Sequence, residues 1–303
     1  MLRHFLIVLD QIAEDVVMHS AGIARVSGAR VTLLRLHDQP GGRSRFVDPV
    51  EWHMRKIEAE AGLNEMRQHL RKMGLQVRTA ILDDRNPEHI LQYAQSHGID
   101  LLILAGQTEG VSDLAHDLMR RTPIPILIVR TGGRAAPPAC YQKILAPLDG
   151  SQRAECVLPL TIRLAQSCDA QILLAHVIGK PQMPRRAPPT TEDAELLERV
   201  IESNRNEAIR YLEQTAARLP GAVETRLLVN DSVAAALHDL VDREGVDLVV
   251  LSAHGYSAAP QWPYGSIANS LIAYSQAPVL VVQDMPASET ANSEAVVRSG
   301  RGR

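Results

Sequence analysis

Short apolar runs that end in a carboxylate alternate along this chain with longer amphipathic stretches. Phe5 to Asp10 (FLIVLD) is the first run. A helical stretch over roughly Ile12 to Ser27 follows, and Gly28 closes it as a C-cap would. Val31 to His37 (VTLLRLH) reads as the next strand. A loop rich in Gly, Pro and Arg (Gln39 to Arg45) leads to a long helix ending near Met73, with Leu63, Met66, Leu70 and Met73 on one face. Val77 to Leu82 alternates as a strand does, and Asn86-Pro87 opens a helix through Ser96. Leu101 to Leu104 and Ile126 to Val129 are apolar throughout. Strands alternating with helices predict an α/β fold with a parallel sheet covered on both faces.

The pattern then repeats. Lys143 to Asp149 (KILAPLD) matches Phe5 to Asp10, so Asp149 corresponds to Asp10. Gln171 to Val177 is expected to keep the same offset, which would place His176 opposite His37. A second loop rich in Pro and Arg (Lys180 to Pro189) precedes a second long helix, ending at Leu219. Val223 to Val229 matches Val77 to Leu82, Glu244 to Asp247 matches His97 to Asp100, and Pro278 to Val282 matches Pro125 to Val129. The expected organisation is a domain over 1–131, a linker over 132–140, a second domain over 141–285 and a loose tail over 286–303.

One stretch differs between the copies. Leu248 to Ser266 (LVVLSAHGYSAAPQWPYGS) runs from an apolar strand through Gly255 to Gly265-Ser266, where a helix over Ile267 to Tyr274 begins. A strand, a glycine loop and a helix N-terminus aim backbone N–H groups and a positive dipole end at one spot, which suits a phosphate. An ordinary strand–helix connection with permissive glycines is the plainer alternative. The first copy is six residues shorter between Asp100 and Pro125 and has Gly106 and Gly110 but no Gly-Ser before its helix. The cradle is therefore expected in the second domain only.

Composition excludes more than it identifies. Across 303 residues the net charge is −3, with 45% hydrophobic and 22% charged residues, so no basic patch calls for nucleic acid or an anionic membrane. No apolar run reaches membrane-spanning length. The cysteines, Cys140, Cys156 and Cys168, are three in number and show no metal-type spacing, which reads as a reducing, cytoplasmic setting. The histidines form no metal motif, and no metal site is expected.

Several features together resemble the universal stress protein family in its tandem two-domain form: Ile144 to Ser151 (ILAPLDGS), Ala175-His-Val177, Ser252-Ala-His-Gly255 followed nine residues later by Gly265-Ser266, and Ala277 to Val281 (APVLV). The likeness spans about 1–130 and 140–283. It implies two tandem open parallel five-stranded sheets with helices on both faces, Rossmann-like, in strand order 3-2-1-4-5. The family's nucleotide loop has glycine at its first position, where this chain has Ser252. The resemblance further implies ATP, accompanied by Mg2+ where the nucleotide carries it. Pro147 and Asp149 would border adenine and ribose, and Val177 the base. The backbone of Ser252, Ala253, His254 and Gly255 would line the phosphates, held from the helix start by Gly265, Ser266 and Ile267. The placement agrees with the general rule that open α/β sheets bind ligands outside the carboxyl ends of strands where strand order reverses.

The same residues admit other roles. Asp149 could cap the following helix, and Trp262-Pro-Tyr264 could cover a nucleotide or pack in a domain interface. The histidines at strand ends read as structural. The functional expectation is a stress-response regulatory protein binding ATP or a related adenine nucleotide in its second domain. No catalytic residue is evident, so at most slow hydrolysis is expected. A nucleotide-free scaffold that docks other proteins is the alternative. An adenylyl-transferring or flavin-binding relative is disfavoured, because no HxGH pair, GxxxxGK or GxGxxG is present. The expected partners are the nucleotide and an unidentified protein. The last strands of the two domains would pair internally as a pseudo-dimer, and a homodimer is left open.

Overall fold

The computed structural model describes residues 2–9, 14–37, 49–107, 110–130, 140–179, 191–255 and 264–283. Asp10, the two Pro/Gly/Arg-rich loops, linker residues 132–139, Trp262 and the tail from 284 onward lie outside the described residues. The chain divides into two compact units: Met1–Cys140 together with the segment from Pro278, and Tyr141–Ala277.

The first unit is built on β1 (His4–Leu9), β2 (Arg30–Leu36), β3 (Val77–Leu82), β4 (Leu101–Gln107), a two-residue β5 (Gly110–Val111) and β6 (Ile126–Arg130). Its helices are α1 (Glu14–Ser27), α2 (Pro49–Lys72), α3 (Pro87–Ser96) and α4 (Asp113–Arg121). The strand order is β3-β2-β1-β4-β6, parallel throughout. Every residue of β1 is buried, as a central parallel strand covered on both faces requires. A further strand, β11 (Val279–Val282), runs antiparallel to β6, with Val279 opposite Ile128 and Val281 opposite Ile126. The expected pairing of the last strands is therefore present, and β6 has a partner on each side.

The second unit contains β7 (Lys143–Pro147), α5 (Gln152–Glu155), α6 (Leu158–Cys168), β8 (Gln171–Ile178), α7 (Thr191–Ala217), β9 (Val223–Val229), α8 (Val233–Glu244), β10 (Leu248–Ser252) and α9 (Ser266–Tyr274). Its order is β9-β8-β7-β10, all parallel. The fifth segment of the second repeat, β11, takes the place next to β10 in the strand order, so the order expected for that repeat holds, while its pairing with β6 groups it with the first unit.

One device recurs at the base of both sheets. The Asp100 carboxylate accepts from the backbone N–H groups of Arg3 (2.8 Å) and His4 (3.1 Å) where β1 begins. Asp247 does the same for Gln142 (2.7 Å) and Lys143 (3.1 Å) before β7. These carboxylates tie the start of the fourth strand to the start of the first, and they satisfy N–H groups that the ladders leave open.

Strand register corrects one sequence expectation. Val8 lies opposite Leu34 and Pro147 opposite Ala175, so Ala175 takes the place of Leu34 and His176 the place of Arg35, not of His37. The second repeat carries two extra residues between its first two strands, where the helical segment is broken into α5 and α6. The cysteines need a second correction: Cys140 and Cys168 are disulfide-bonded, and Cys156 keeps its thiol. An odd total conceals one pair plus one thiol, so the cysteine count does not argue for a reducing compartment.

Candidate functional site

The ten residues singled out in the sequence gather at the carboxyl end of the second sheet. β7 lies between β8 and β10, so Pro147 and Asp149 from β7 stand between Val177 near the end of β8 and Ser252 to Gly255 at the end of β10. The Gly265 N–H donates to the Ala253 carbonyl (2.8 Å), which fastens the start of α9 to the end of β10. Ser252 and Ala253 are buried, Ser266 is exposed and Gly265 and Ile267 are half-buried.

Asp149 makes two kinds of contact. Its Oδ1 accepts from the Ser151 N–H (3.0 Å) and the Ser151 hydroxyl (2.6 Å). Ser151 in turn accepts from the Ala154 N–H (3.1 Å) and caps α5. Asp149 is thus one step removed from the helix cap that the sequence suggested for it. Its Oδ2 faces Gly255 so closely that a Cβ at position 255 would collide with it. Glycine at 255 is a steric condition for having this carboxylate here.

Ser252, which stands where the family loop has glycine, points its hydroxyl inward and donates to the His254 carbonyl. The side chain thereby fixes the loop backbone and adds no bulk to its outer surface. The His254 ring lies nearly parallel to that of Tyr264, with an interplanar angle of 9° and centroids 6.4 Å apart. Tyr264 is buried, and its carbonyl accepts from Asn269 (3.2 Å), so within the aromatic spacer it packs internally.

His176, on β8 beside Val177, donates from Nδ1 to the Leu148 carbonyl (2.8 Å) and holds the end of β7 in place. Tyr211 of α7 faces this ring edge-on. Burial first, and then the nearby carboxylates of Glu155 and Asp149, push its phenol well above the usual range and keep it protonated. Sequence reasoning missed the role of Ser151 and the particular partner of His176, whose structural character it expected. The Asp-Gly-Ser turn signal was present at 149–151, but nothing local announces a bond between His176 and residue 148.

The helix N-termini beside β4 and β10 differ between the units. In the first unit Ser112 caps α4 by accepting from the Ala115 N–H (3.2 Å). β4 there continues into β5 as a small antiparallel hairpin, Gly106 opposite Val111 and Gln107 opposite Gly110. Gly106 is fitted against Ile128, whose Cγ2 would lie 3.1 Å from an added Cβ. In the second unit the N-cap of α9 is Gly265, which has no side chain to cap that terminus, and among the described residues no side-chain cap is present. Gly265 has φ −64°. Among the described residues a Cβ there would meet nothing closer than the Ala253 oxygen at 3.8 Å, so none of them requires glycine at 265. Open N–H groups at the start of α9 can hold a phosphate or another anion.

Among the described residues no group of three or more His, Cys, Asp or Glu is placed to hold a metal ion. No described helix is long and apolar enough to cross a membrane.

Comparison with known proteins agrees with this architecture. The profile of the universal stress protein family matches residues 1–130 and again 141–283. The chain belongs to that family, in a tandem arrangement of two family domains. A universal stress protein from Methanocaldococcus jannaschii is 24% identical over 143 residues, covering 47% of this chain and 82% of that protein. In three dimensions the chain is similar to a universal stress protein from Archaeoglobus fulgidus (TM-score 0.64, 14% identity, 93% of this chain and 98% of that one). It is similar also to a protein of unknown function from Pseudomonas aeruginosa PAO1 (TM-score 0.65, 18% identity, 98% of each chain). At these identities the structural likeness speaks for the fold alone.

Proposed function

We propose that this chain is a stress-response regulatory protein that binds an adenine nucleotide, ATP foremost, in its second unit. The carrying observation is the start of α9: its N-cap is a glycine with no side chain to cap it, and among the described residues nothing crowds the space a side chain there would take. The counterpart in the first unit is closed by Ser112 and by the β4–β5 hairpin. In this reading the N–H groups of Ser266 and Ile267 and the loop from Ser252 to Gly255 receive the phosphates, with Gly265 allowing their close approach to the helix start. Pro147 and Val177 flank the base, and Asp149 Oδ2 reaches the sugar hydroxyls. The helix dipole and N–H donors balance phosphate charge, and Mg2+ travels with the nucleotide. A bound nucleotide of this kind would serve as a signal that alters which surface the protein presents to a partner. The inward Ser252 removes the main objection to binding, since its hydroxyl is spent on His254.

The test is to denature freshly purified protein and separate what it releases by ion-pairing chromatography. Adenine nucleotide released in a fixed ratio to chain is expected. No release, combined with no uptake after incubation in millimolar ATP and magnesium, would overturn the proposal and leave the scaffold role.

A further inference from the structure

At the opposite end of the first sheet, where β2 and β3 begin, a cavity of about 470 Å³ is lined by Arg30, Arg71 and Arg78 with the segment Gly74 to Val77 between them. Among the described residues, no acidic residue and no aromatic ring contributes to its lining. Arg71, in the last turn of α2, donates from Nη2 to the Val77 carbonyl (3.2 Å), which holds its guanidinium over the cavity. Arg78 is opposite Thr32 in the β2–β3 ladder, so Arg30, two residues before Thr32, lies diagonally across from it on the same face. Like charges so arranged repel. Among the described residues, none of the three arginines is joined to a carboxylate. The nearby Asp100 is occupied by the N–H groups of Arg3 and His4.

The neighbouring His4 registers this field. Burial first, then the positive charges of Arg30 and Arg78, hold its imidazole below the usual histidine range, against the opposing pull of the His97 carbonyl and Asp100.

The second unit shows that the fold does not impose this excess. Val77 pairs with Val31 and Val223 with Ile172, so Glu224 stands where the first unit has Arg78, and Gln171 where it has Arg30. There the rim is balanced by a chain of ion pairs: Glu224 with Arg226 (2.8 Å), Arg226 with Glu244 (2.8 Å) and Glu244 with Lys143 (3.1 Å).

We propose that the Arg30–Arg71–Arg78 cavity is a second ligand site, separate from the nucleotide cradle, that binds a small multivalent phosphate anion. Three guanidinium groups offer paired N–H donors matched to phosphate oxygens. The volume falls within the range of small-molecule sites, roughly 300–1,000 Å³. The lack of an aromatic wall selects the phosphate part of a ligand over a base. An anion seated there removes the arginine repulsion that the protein otherwise carries.

The test uses the full chain, isotope-labelled for amide NMR and titrated with inorganic pyrophosphate at low salt. Saturable shifts centred on Gly74 to Arg78 are expected, weakened at least about tenfold in an Arg71→Gln/Arg78→Gln variant. Arg78→Lys, which keeps the charge but loses the fork, should fall between. All three arginines are exposed, so the variants are expected to fold, and the dispersion of the same spectra checks it. Shifts confined to residues 252–267, shifts unchanged by the substitutions, or no saturation at millimolar pyrophosphate would each overturn the proposal. A tricarboxylate that binds as tightly would overturn the assignment to phosphate. Because the readout is resolved by residue, failure here is separable from failure of nucleotide binding in the second unit.

Discussion

The carboxylate of Asp149 occupies the space that a side chain at position 255 would need. The contact joins the end of β7 to the loop after β10, and it gives Gly255 a steric role that does not depend on any ligand. The same carboxylate receives the Ser151 N–H and hydroxyl and so stands behind the cap of α5.

Gly255→Ala should therefore displace Asp149 and loosen that turn, at a cost of about 1–3 kcal/mol in overpacking and lost hydrogen bonds. Asp149→Ala in the Gly255→Ala background should recover part of the loss, because it removes the colliding group. Urea unfolding of the two single variants and the double variant measures the coupling. Strictly additive losses would mean that the two residues do not compete for the same space.

Position 265 should behave differently. Its backbone is ordinary and a Cβ has room, so Gly265→Ala should change stability by less than about 1 kcal/mol. Affinity for adenine nucleotide should nevertheless fall, since the methyl group intrudes where the phosphates approach. Thermal unfolding read beside a nucleotide titration separates the two effects. A variant that unfolds readily would show that glycine there serves the fold.

Much of this was legible in the sequence, and the misses have physical causes. The strands show in the apolar runs, and Asn86 announces a helix start because a short polar side chain can accept from the first-turn N–H groups. The duplicated order showed the tandem fold. The equivalence of His176 and His37 failed because two inserted residues between β7 and β8 leave the hydrophobic pattern unchanged while shifting the alignment. The gathering of Asp149, Ser252 and Gly265 at one sheet end was implied by the family resemblance and agrees with the rule that open α/β sheets bind ligands where strand order reverses. The collision of Asp149 with residue 255 depends on side-chain direction and could not be read from the sequence.

Stability should fall with acid through His19. Burial in α1 pulls its imidazole down to about 4 from 6.5. Below about pH 6.5 the unfolded chain takes up a proton that the folded chain excludes. The stabilisation is whole above that pH, is lost as pH falls towards about 4, and amounts to roughly 3 kcal/mol over the window. Urea midpoints at about pH 7 and pH 5 should differ, and His19→Leu should reduce the difference. A midpoint insensitive to pH in the parent protein would contradict this assignment.

Thiol titration tests the cysteine arrangement. In denaturant without reductant one thiol per chain, Cys156, should react, and all three should react after reduction. Reduction should lower stability by about 3–4 kcal/mol if chain entropy sets the contribution. Three reactive thiols before reduction, in protein kept oxidised, would show that the bond does not form.

The central claim is that the second unit alone holds the nucleotide. Calorimetric titration of ATP with magnesium into the whole chain, freed of carried-over nucleotide and repeated with Gly265→Val, tests it most directly. One site per chain, abolished by the substitution, is the predicted result. Two sites would contradict the asymmetry between the Ser112-capped α4 and the uncapped α9, and no heat of binding would contradict nucleotide recognition altogether.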